Sequence, residues 1–202
     1  EGNPFFLEEL TRTLADEGTD PEAIPNTVQG VIMARLDRLP EPAKRLLQTA
    51  SVLGREVPLE LLRGIWRGAG DFTPELVELS RVELLYERRD GDHSVYVFKH
   101  ALTQEVAYDS LLARDRRDVH LAAARALQQL HSDRLDEIAA RLAYHYARTD
   151  FVDEAVRWLI RAADQAARVY SNAEALLHLD LARLRLLAID VSHELLVGKA
   201  LQ

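Results

Sequence analysis

The amino-acid sequence predicts a mainly α protein in which one β-hairpin separates two helical regions. Three observations support this fold class. Apolar residues recur every three or four positions through most of the chain, which is the period of an amphipathic helix. Residues 85–98 instead contain two strand-like runs on either side of a short turn. All seven prolines and eight of the nine glycines lie within the first 91 residues, so the second half can form long helices joined by short polar links.

The first 84 residues predict five helices, each with its own start or stop signal. Asn3 is the expected N-cap of the first helix, with Pro4 at the first helical position and Gly18 at the end. Thr27 begins the second helix. Proline and glycine set the remaining boundaries, which predict helices at about 27–39, 41–53, 58–66 and 73–84.

The hairpin is predicted from residues 85–89 and 94–98, which flank Asp90-Gly91-Asp92. An Asp-Gly pair supplies the positive backbone dihedral angles that a tight reversal needs. After the hairpin the pattern is helical, and the expected helices are about 102–112, 115–132, 134–148, 152–169 and 172–188.

Three helices followed by a two-stranded ribbon is the order of a winged helix, which raises the possibility of DNA binding. The helix before the ribbon, 74–84, would read the DNA, but it carries three glutamates and one arginine. DNA affinity depends on neutralising phosphates with Lys and Arg, so this helix is a poor reader. Arg88 and Arg89 in the ribbon are offset by neighbouring acids, and we expect no DNA binding through this element.

The region after the hairpin resembles tetratricopeptide repeats. Small and large residues stand at the spacings of that repeat's packing positions, namely Leu142, Ala143, Tyr146, Ala155, Leu159 and Ala162. Ala175, Leu179 and Ala182 repeat the second half of this pattern after 20 residues, which is shorter than the usual period of about 34. The resemblance predicts antiparallel helical hairpins that form the start of a repeat array.

Composition excludes several classes of protein. The chain has no cysteine, which removes disulfides, thiolate nucleophiles and cysteine-ligated zinc. A net charge of -8 gives no overall basic field for nucleic acid or anionic lipid. No apolar run approaches the roughly 20 residues of a membrane span, and no signal peptide is visible. We therefore expect a cytoplasmic setting and no membrane partner. Because Met33 is the only methionine and position 1 is Glu, we expect a segment of a longer protein.

No catalytic constellation is found in the sequence. A phosphate-binding loop ending in Lys-Ser or Lys-Thr is absent, as is a serine nucleophile elbow. His120 and His131 share one predicted helix, but they are too far apart to bind the same metal. The basic cluster Arg114, Arg116 and Arg117 is interpreted as a solvated helix start or an interdomain contact. We expect neither enzymatic activity nor a metal site in this chain.

Two short segments carry a more specific signal. The first, residues 2–10, is Gly-Asn-Pro-Phe-Phe-Leu-Glu-Glu-Leu, and the second, residues 98–102, is Phe-Lys-His-Ala-Leu. A capped helix start explains the first segment on chemistry alone. A lone histidine such as His100 is usually a capping or packing residue. A histidine just before a helix also lies beside backbone N–H groups that can hold an anion.

Together the two segments resemble the signal-transduction ATPases with numerous domains, a branch of the P-loop ATPases. Residues 2–10 look like the Gly-x-Pro segment that closes the nucleotide-binding region of that family, with Gly2 and Pro4 as the matching residues. Residues 98–102 look like the Met-His-Asp-type segment that follows its winged helix. The resemblance implies that Pro4 contacts adenine and that His100 approaches the diphosphate of ADP. Ala101 stands where the family commonly has an acid.

Within that family, the chain resembles members fused to class III adenylate or guanylate cyclases, or to helix-turn-helix transcriptional regulators. This resemblance rests on residues 24–39, 103–108 and 173–176. It implies that the phosphate-binding segments lie in an upstream ATPase domain before Glu1, which would be a partner of this chain, and that ATP or ADP with Mg is bound only there. The domains expected are the end of the ATPase module in residues 1–26, a winged-helix-like domain in 27–112 and helical hairpins in 113–202.

The leading hypothesis is a non-catalytic regulatory fragment that controls an output domain through a conformational switch linked to ADP and ATP. A second hypothesis is a tetratricopeptide-type scaffold that binds an unknown protein or peptide on its helical repeats. A winged-helix DNA-binding module is the third and is disfavoured by charge.

Overall fold

A computed structural model describes residues 27–68, 70–91 and 93–200, with side chains described as far as Ala188. Within this part, nine helices and three strands follow one another along the chain. They are α1 (Val28–Asp37), α2 (Glu41–Leu53), β1 (Glu56–Pro58), α3 (Leu59–Ile65), α4 (Thr73–Arg81), β2 (Leu85–Asp90), β3 (His93–Phe98), α5 (Ala101–Asp109), α6 (Ala113–Leu130), α7 (Ala139–Tyr146), α8 (Val152–Arg168) and α9 (Asn172–Ala200). The mainly α fold with one hairpin is confirmed. The predicted helix of residues 3–18 lies outside the described residues.

Contacts between Cα atoms divide the chain into two compact units, with the boundary between Arg116 and Arg117 inside α6. Unit 1 contains α1–α5 and the sheet, and unit 2 contains the rest of α6 and α7–α9. The predicted boundary lay at 112/113, four residues earlier, where the charge balance of the sequence changes from acidic to basic.

Unit 1 is organised around a three-stranded antiparallel sheet with β3 in the centre, in the order β1-β3-β2. The hairpin pairs Leu85 with Phe98 at one end and Asp90 with His93 at the other. Gly91 has a φ of +58° in the turn, which explains why glycine follows aspartate there. From α2 to β3 the chain has three helices followed by the two-stranded hairpin, which is the order that the sequence predicted.

Strand β1 is an addition that the sequence analysis did not find. It has three residues, Glu56–Pro58, and pairs antiparallel with residues 95–97 of β3. Three residues are too few to show a strand period, and the region was predicted to open directly into a helix at Pro58. That helix begins one residue later, at Leu59.

The core of unit 1 is made by leucines, one isoleucine and one phenylalanine from its helices and from the segments around β2 and β3. The largest fully buried side chains are Ile32, Leu36, Leu46, Leu47, Leu62, Leu79, Leu84, Leu85 and Phe98. In this core, helix α1 contacts α5, and helix α4 contacts α2. Each fully buried side chain of this kind contributes about 1.5–3 kcal/mol through removal of apolar surface from water.

Helix α4 ends at Arg81, three residues before the predicted end at Leu84. Glu83 adopts a positive φ of 57°, and the Leu84 N–H donates to the Leu79 carbonyl at 2.9 Å. This arrangement closes the helix without a glycine, so the sequence carried no stop signal at that point.

Unit 2 is built from consecutive helices in contact, α7 with α8 and α8 with α9. Helix α7 begins at Ala139 rather than at the predicted residue 134. Residues 131–139 instead form successive turns closed by hydrogen bonds three residues apart, such as Arg134 N–H to His131 O and Glu137 N–H to Arg134 O. Bonds of this kind tighten the backbone and do not continue as an α-helix.

Small residues set the close approach of the helices in unit 2. The predicted packing residues Leu142, Ala143, Tyr146, Ala155, Leu159 and Ala162 are all buried. Ala175 and Ala182 of α9 are buried too, and Ala175 joins Ala163 and Ala166 in one cluster. Leu179 is 47% exposed, so the repetition of the pattern at 175–182 is correct for its alanines and wrong for its leucine.

Candidate functional site

Of the three residues predicted to contact nucleotide, His100 is described by the structure, and Gly2 and Pro4 lie outside the described residues. His100 is half-buried between the end of β3 and the start of α5. Its backbone is extended (φ -129°, ψ 138°) and it occupies the N-cap position of α5. The sequence therefore placed this histidine correctly, at the junction of a strand and a helix.

The backbone on both sides of His100 is held by neighbouring elements. The Phe98 N–H donates to the Arg55 carbonyl at 3.0 Å, and the Lys99 N–H donates to the Leu84 carbonyl at 3.1 Å. On the helical side, Gln104 Nε2 donates to the Ser51 carbonyl at 2.6 Å. These bonds join the residues around His100 to the C-terminal part of α2, to the segment after it and to the residue before β2. The position of His100 is therefore set by the fold of unit 1.

The charge next to His100 comes from Lys99. Its Nζ lies 2.8 Å from Glu83 Oε2, and both side chains line a shallow cavity of about 420 Å³. The other lining residues are Ser80, Leu85 and Tyr86, so His100 is outside this cavity. Lys99 is already paired with a carboxylate, and the main attraction for an anion at the junction is the N-terminus of α5.

Two arginines on helix α4 and the hairpin are paired with carboxylates. Arg81 of α4 is paired with Glu78 at 2.7 Å, and Arg88 of β2 forms two hydrogen bonds to Glu56 at 2.8 and 3.0 Å. The hydrogen bond from Arg88 lowers the pKa of Glu56, and that from Arg81 lowers the pKa of Glu78. These carboxylates stay ionised and compete with phosphate for the same arginines.

Two arginines of the predicted basic cluster near the start of α6, Arg116 and Arg117, form ion pairs within their own units. In unit 1, Arg116 lies 3.7 Å from Asp109 and its guanidinium stacks 4.4 Å from the centroid of the Tyr108 ring. In unit 2, Arg117 lies 3.3 Å from Asp150. These contacts agree with a solvated helix start rather than a phosphate track.

A buried histidine pair in unit 2 was missed by the sequence analysis. The Nδ1 atoms of His120 on α6 and His145 on α7 are 2.9 Å apart, and both side chains are buried. Burial, with Arg141 and Arg148 nearby, lowers the pKa of His145 to about 4. One ring must therefore donate its N–H to the lone pair of the other. The two residues are 25 positions apart on different helices, so no local pattern could have revealed the pair.

Exposed leucines are the other notable feature of unit 2. They lie on α9 and are Leu176, Leu177, Leu179, Leu181, Leu184, Leu186 and Leu187. They surround much of the helix, whereas Ala175 and Ala182 face α8. A helix that is apolar on several sides is usually covered by other structure. Among the described residues, no helix combines the length and apolar composition needed to cross a membrane.

No family model matches this chain. A protein of Rhizobium meliloti (strain 1021), described as uncharacterized, is 25% identical to it over 186 residues. The matched region covers 86% of this chain and 18% of that protein. The chain therefore spans less than a fifth of the length of this relative, and the comparison names no activity for the matched region.

Proposed function

We propose that this chain is a non-catalytic regulatory segment of a nucleotide-dependent signalling ATPase that acts in the cytoplasm. The observation that carries the proposal is the place of His100, half-buried at the N-cap of α5 and directly after the central strand of the sheet. The proposal also includes an ATPase core and a cyclase or transcription-regulator output domain, because the sequence resembles proteins that contain them.

The described residues around His100 offer one polar contact to a nucleotide phosphate. The N-terminus of α5 provides backbone N–H groups and a partial positive charge on the side where His100 lies. Lys99 adds a cation whose charge is offset by Glu83. Binding of a whole nucleotide with Mg therefore requires the ATPase core, and this chain supplies His100, together with Gly2 and Pro4 from the segment outside the described residues.

In this proposal, nucleotide shifts a population between two states. ADP would hold unit 1 against the ATPase core, because its terminal phosphate accepts a hydrogen bond at His100. ATP has a different charge and length at that end, so its free energy of contact with His100 differs. A ligand shifts an equilibrium only by such a difference in affinity, and His100 would provide it.

The first test is His100→Ala in a protein that joins this chain to its ATPase core. We expect ADP to dissociate about tenfold faster or more, because a hydrogen bond to a charged group contributes about 1.5–3 kcal/mol. The rate can be followed by displacement of a fluorescent ADP analogue in a stopped-flow instrument.

His93→Ala is the matched control for this experiment. His93 is at the other end of β3, is exposed, and pairs with Glu60 at 3.3 Å. We expect it to leave the ADP dissociation rate unchanged. An unchanged rate in the His100 variant as well would remove the sensor role.

The alternative function is a scaffold in which unit 2 binds another protein. The observation that favours it is the set of exposed leucines on α9, which no described residue covers. Burying each leucine side chain against a partner would contribute about 1.5–3 kcal/mol.

The test of the alternative is the double substitution Leu177→Gln and Leu184→Gln. Both side chains are more than half exposed, so we expect the unfolding temperature to stay the same while any concentration-dependent association in sedimentation experiments is lost. A clear fall in the unfolding temperature would instead mean that these leucines pack within the chain, and the scaffold would lose its main support.

A further inference from the structure

An exposed stripe of two arginines and one tyrosine lies on helix α7 and the turn that follows it. Arg141 and Tyr144 are three residues apart and share one face of α7, whereas Arg148 lies two residues past the end of the helix, and all three side chains are exposed. The segment 139–148 contains no acidic residue, although the whole chain has a net charge of -8. This face therefore carries a local positive charge, although the protein as a whole is acidic.

Neither arginine of the stripe is paired with a carboxylate among the described residues. Arg148 donates to the Tyr144 carbonyl at 2.9 Å, and Arg141 forms no hydrogen bond or ion pair there. The nearby acid Asp150 is occupied by Arg117 at 3.3 Å. This differs from the winged-helix surface, where Arg81 and Arg88 both have carboxylate partners.

Two side chains of the stripe, Tyr144 and Arg148, are also held in place before any partner arrives. The Arg148 guanidinium stacks over the Tyr144 ring at 3.7 Å from its centroid. The same ring makes edge contacts with His120 and His145, at centroid distances of 5.7 and 5.1 Å. A fixed side chain loses less conformational entropy when it binds, which favours affinity.

The charged groups around His145 indicate a positive electrostatic potential at this face. Arg141 and Arg148 both lower the pKa of that histidine, after burial as the larger cause, and no carboxylate raises it. Arg117 and Asp150 form a pair of opposite sign.

From this geometry we infer that the surface formed by Arg141 and Tyr144 of α7, with Arg148 of the turn after it, binds an acidic peptide segment of a partner protein. Arg148 lies against the ring of Tyr144, and Arg141 is one helical turn before that tyrosine, so one peptide with several carboxylates can reach both arginines. Each guanidinium can donate two parallel hydrogen bonds to a carboxylate. Two arginines would neutralise two phosphates, which is too few for stable binding of a nucleic acid.

This inference supplies a partner chemistry for the protein-binding alternative and rests on it, but it concerns a different surface from the leucines of α9. It does not depend on His100 or on nucleotide. The two surfaces are tested by separate variants, so failure of one is distinguishable from failure of the other.

The experiment uses the whole chain and a fluorescein-labelled peptide of alternating Glu and Ala, with a matched peptide in which every Glu is Gln. Binding is measured by fluorescence anisotropy at low salt. We expect the Glu peptide to bind and the Gln peptide not to bind. We expect Arg141→Gln with Arg148→Gln to weaken binding by about tenfold or more, since two charge-assisted contacts are lost.

The control is Arg157→Gln with Arg168→Gln, which removes the same charge from α8. Arg157 pairs with Glu154, and Arg168 is exposed in the last turn. We expect the control to weaken binding by about twofold at most, as long-range charge alone allows. A nuclear magnetic resonance titration of the unmodified protein should shift amide signals of 139–148 more than those of α8. This measurement does not depend on the folding of any variant.

Four outcomes would overturn the inference. These are absence of binding to the Glu peptide, equal binding of the Gln peptide, equal weakening by the stripe and control variants, and shifts centred on α8. If a short DNA duplex bound in place of the peptide and lost its binding in the stripe variant, the face would be a nucleic-acid site and the peptide assignment would be wrong.

Discussion

Acidification from about pH 7 to about pH 4 is expected to remove about 3 kcal/mol from the free energy of unfolding of unit 2, through His145 alone. The folded state holds this histidine neutral, with its pKa lowered from an ordinary value of about 6.5 to about 4. The contribution is complete above pH 6.5, because the ring is neutral in both states. Below that pH the unfolded chain takes up a proton that the folded chain does not, and stability falls until pH 4.

The geometry of the histidine pair gives the same sign. The 2.9 Å contact between Nδ1 of His120 and Nδ1 of His145 needs one donor and one lone pair. Protonating both rings places two N–H donors against each other inside a buried site. A second proton therefore cannot be accommodated while the two Nδ1 atoms stay in contact.

The measurement is urea unfolding of unit 2 at several pH values between 7 and 4. The chain has two tryptophans, Trp66 in unit 1 and Trp158 in unit 2, so a Trp66→Phe background reports on unit 2 through Trp158. His145→Gln keeps a hydrogen-bonding side chain without a proton to gain. We expect its stability to depend less steeply on pH. Parallel pH profiles for the two proteins would contradict the role of the pair.

The substitution Phe98→Ala is expected to destabilise unit 1 by about 3–5 kcal/mol. Phe98 is fully buried at the end of the central strand β3, where it pairs with Leu85. Removing its ring leaves a cavity among side chains that cannot all move to fill it. A small protein unit has a total stability of about 5–15 kcal/mol, so this loss is a large share.

The effect is measured by urea unfolding in a Trp158→Phe background, in which Trp66 reports on unit 1. Trp66 packs edge-to-face against Phe72 at a centroid distance of 5.8 Å, so its fluorescence follows the folding of this unit. Val77→Ala is the control, because Val77 is 63% exposed on α4 and its truncation should change stability by about 0.5 kcal/mol or less. A similarly small effect of Phe98→Ala would show that the ring is not part of the core.

The fold class and the place of His100 could be predicted from the sequence because both depend on local signals. Thr27 caps α1 as expected, with its Oγ1 accepting from the Gly30 N–H at 3.1 Å. The Asp-Gly turn joins the two strands at the predicted place in the sequence. His100 follows a strand and precedes a helix, and both elements could be predicted from the spacing of their apolar residues.

The arginine stripe of α7 had a sequence signal that was not used. Arg141, Tyr144 and Arg148 are spaced as residues of one helix face, and no acid lies between 139 and 148. The spacing alone does not show that the arginines lack carboxylate partners. That property depends on Asp150 pairing with Arg117, which is a contact between different segments.

The sequence by itself therefore determined which segments are helical, where the hairpin turns and which residues of α7 and α8 are buried, because these features follow from periodicity and from glycine, proline and capping residues. Tertiary structure alone decided the strand β1, the contact of His120 with His145 and the pairing of Arg88 with Glu56 and of Arg117 with Asp150. Each of these depends on atoms from segments far apart in the chain, whose distances are set only when the helices and strands pack. A three-residue strand forms because β3 offers it hydrogen-bond partners, and a histidine becomes hard to protonate because other residues bury it.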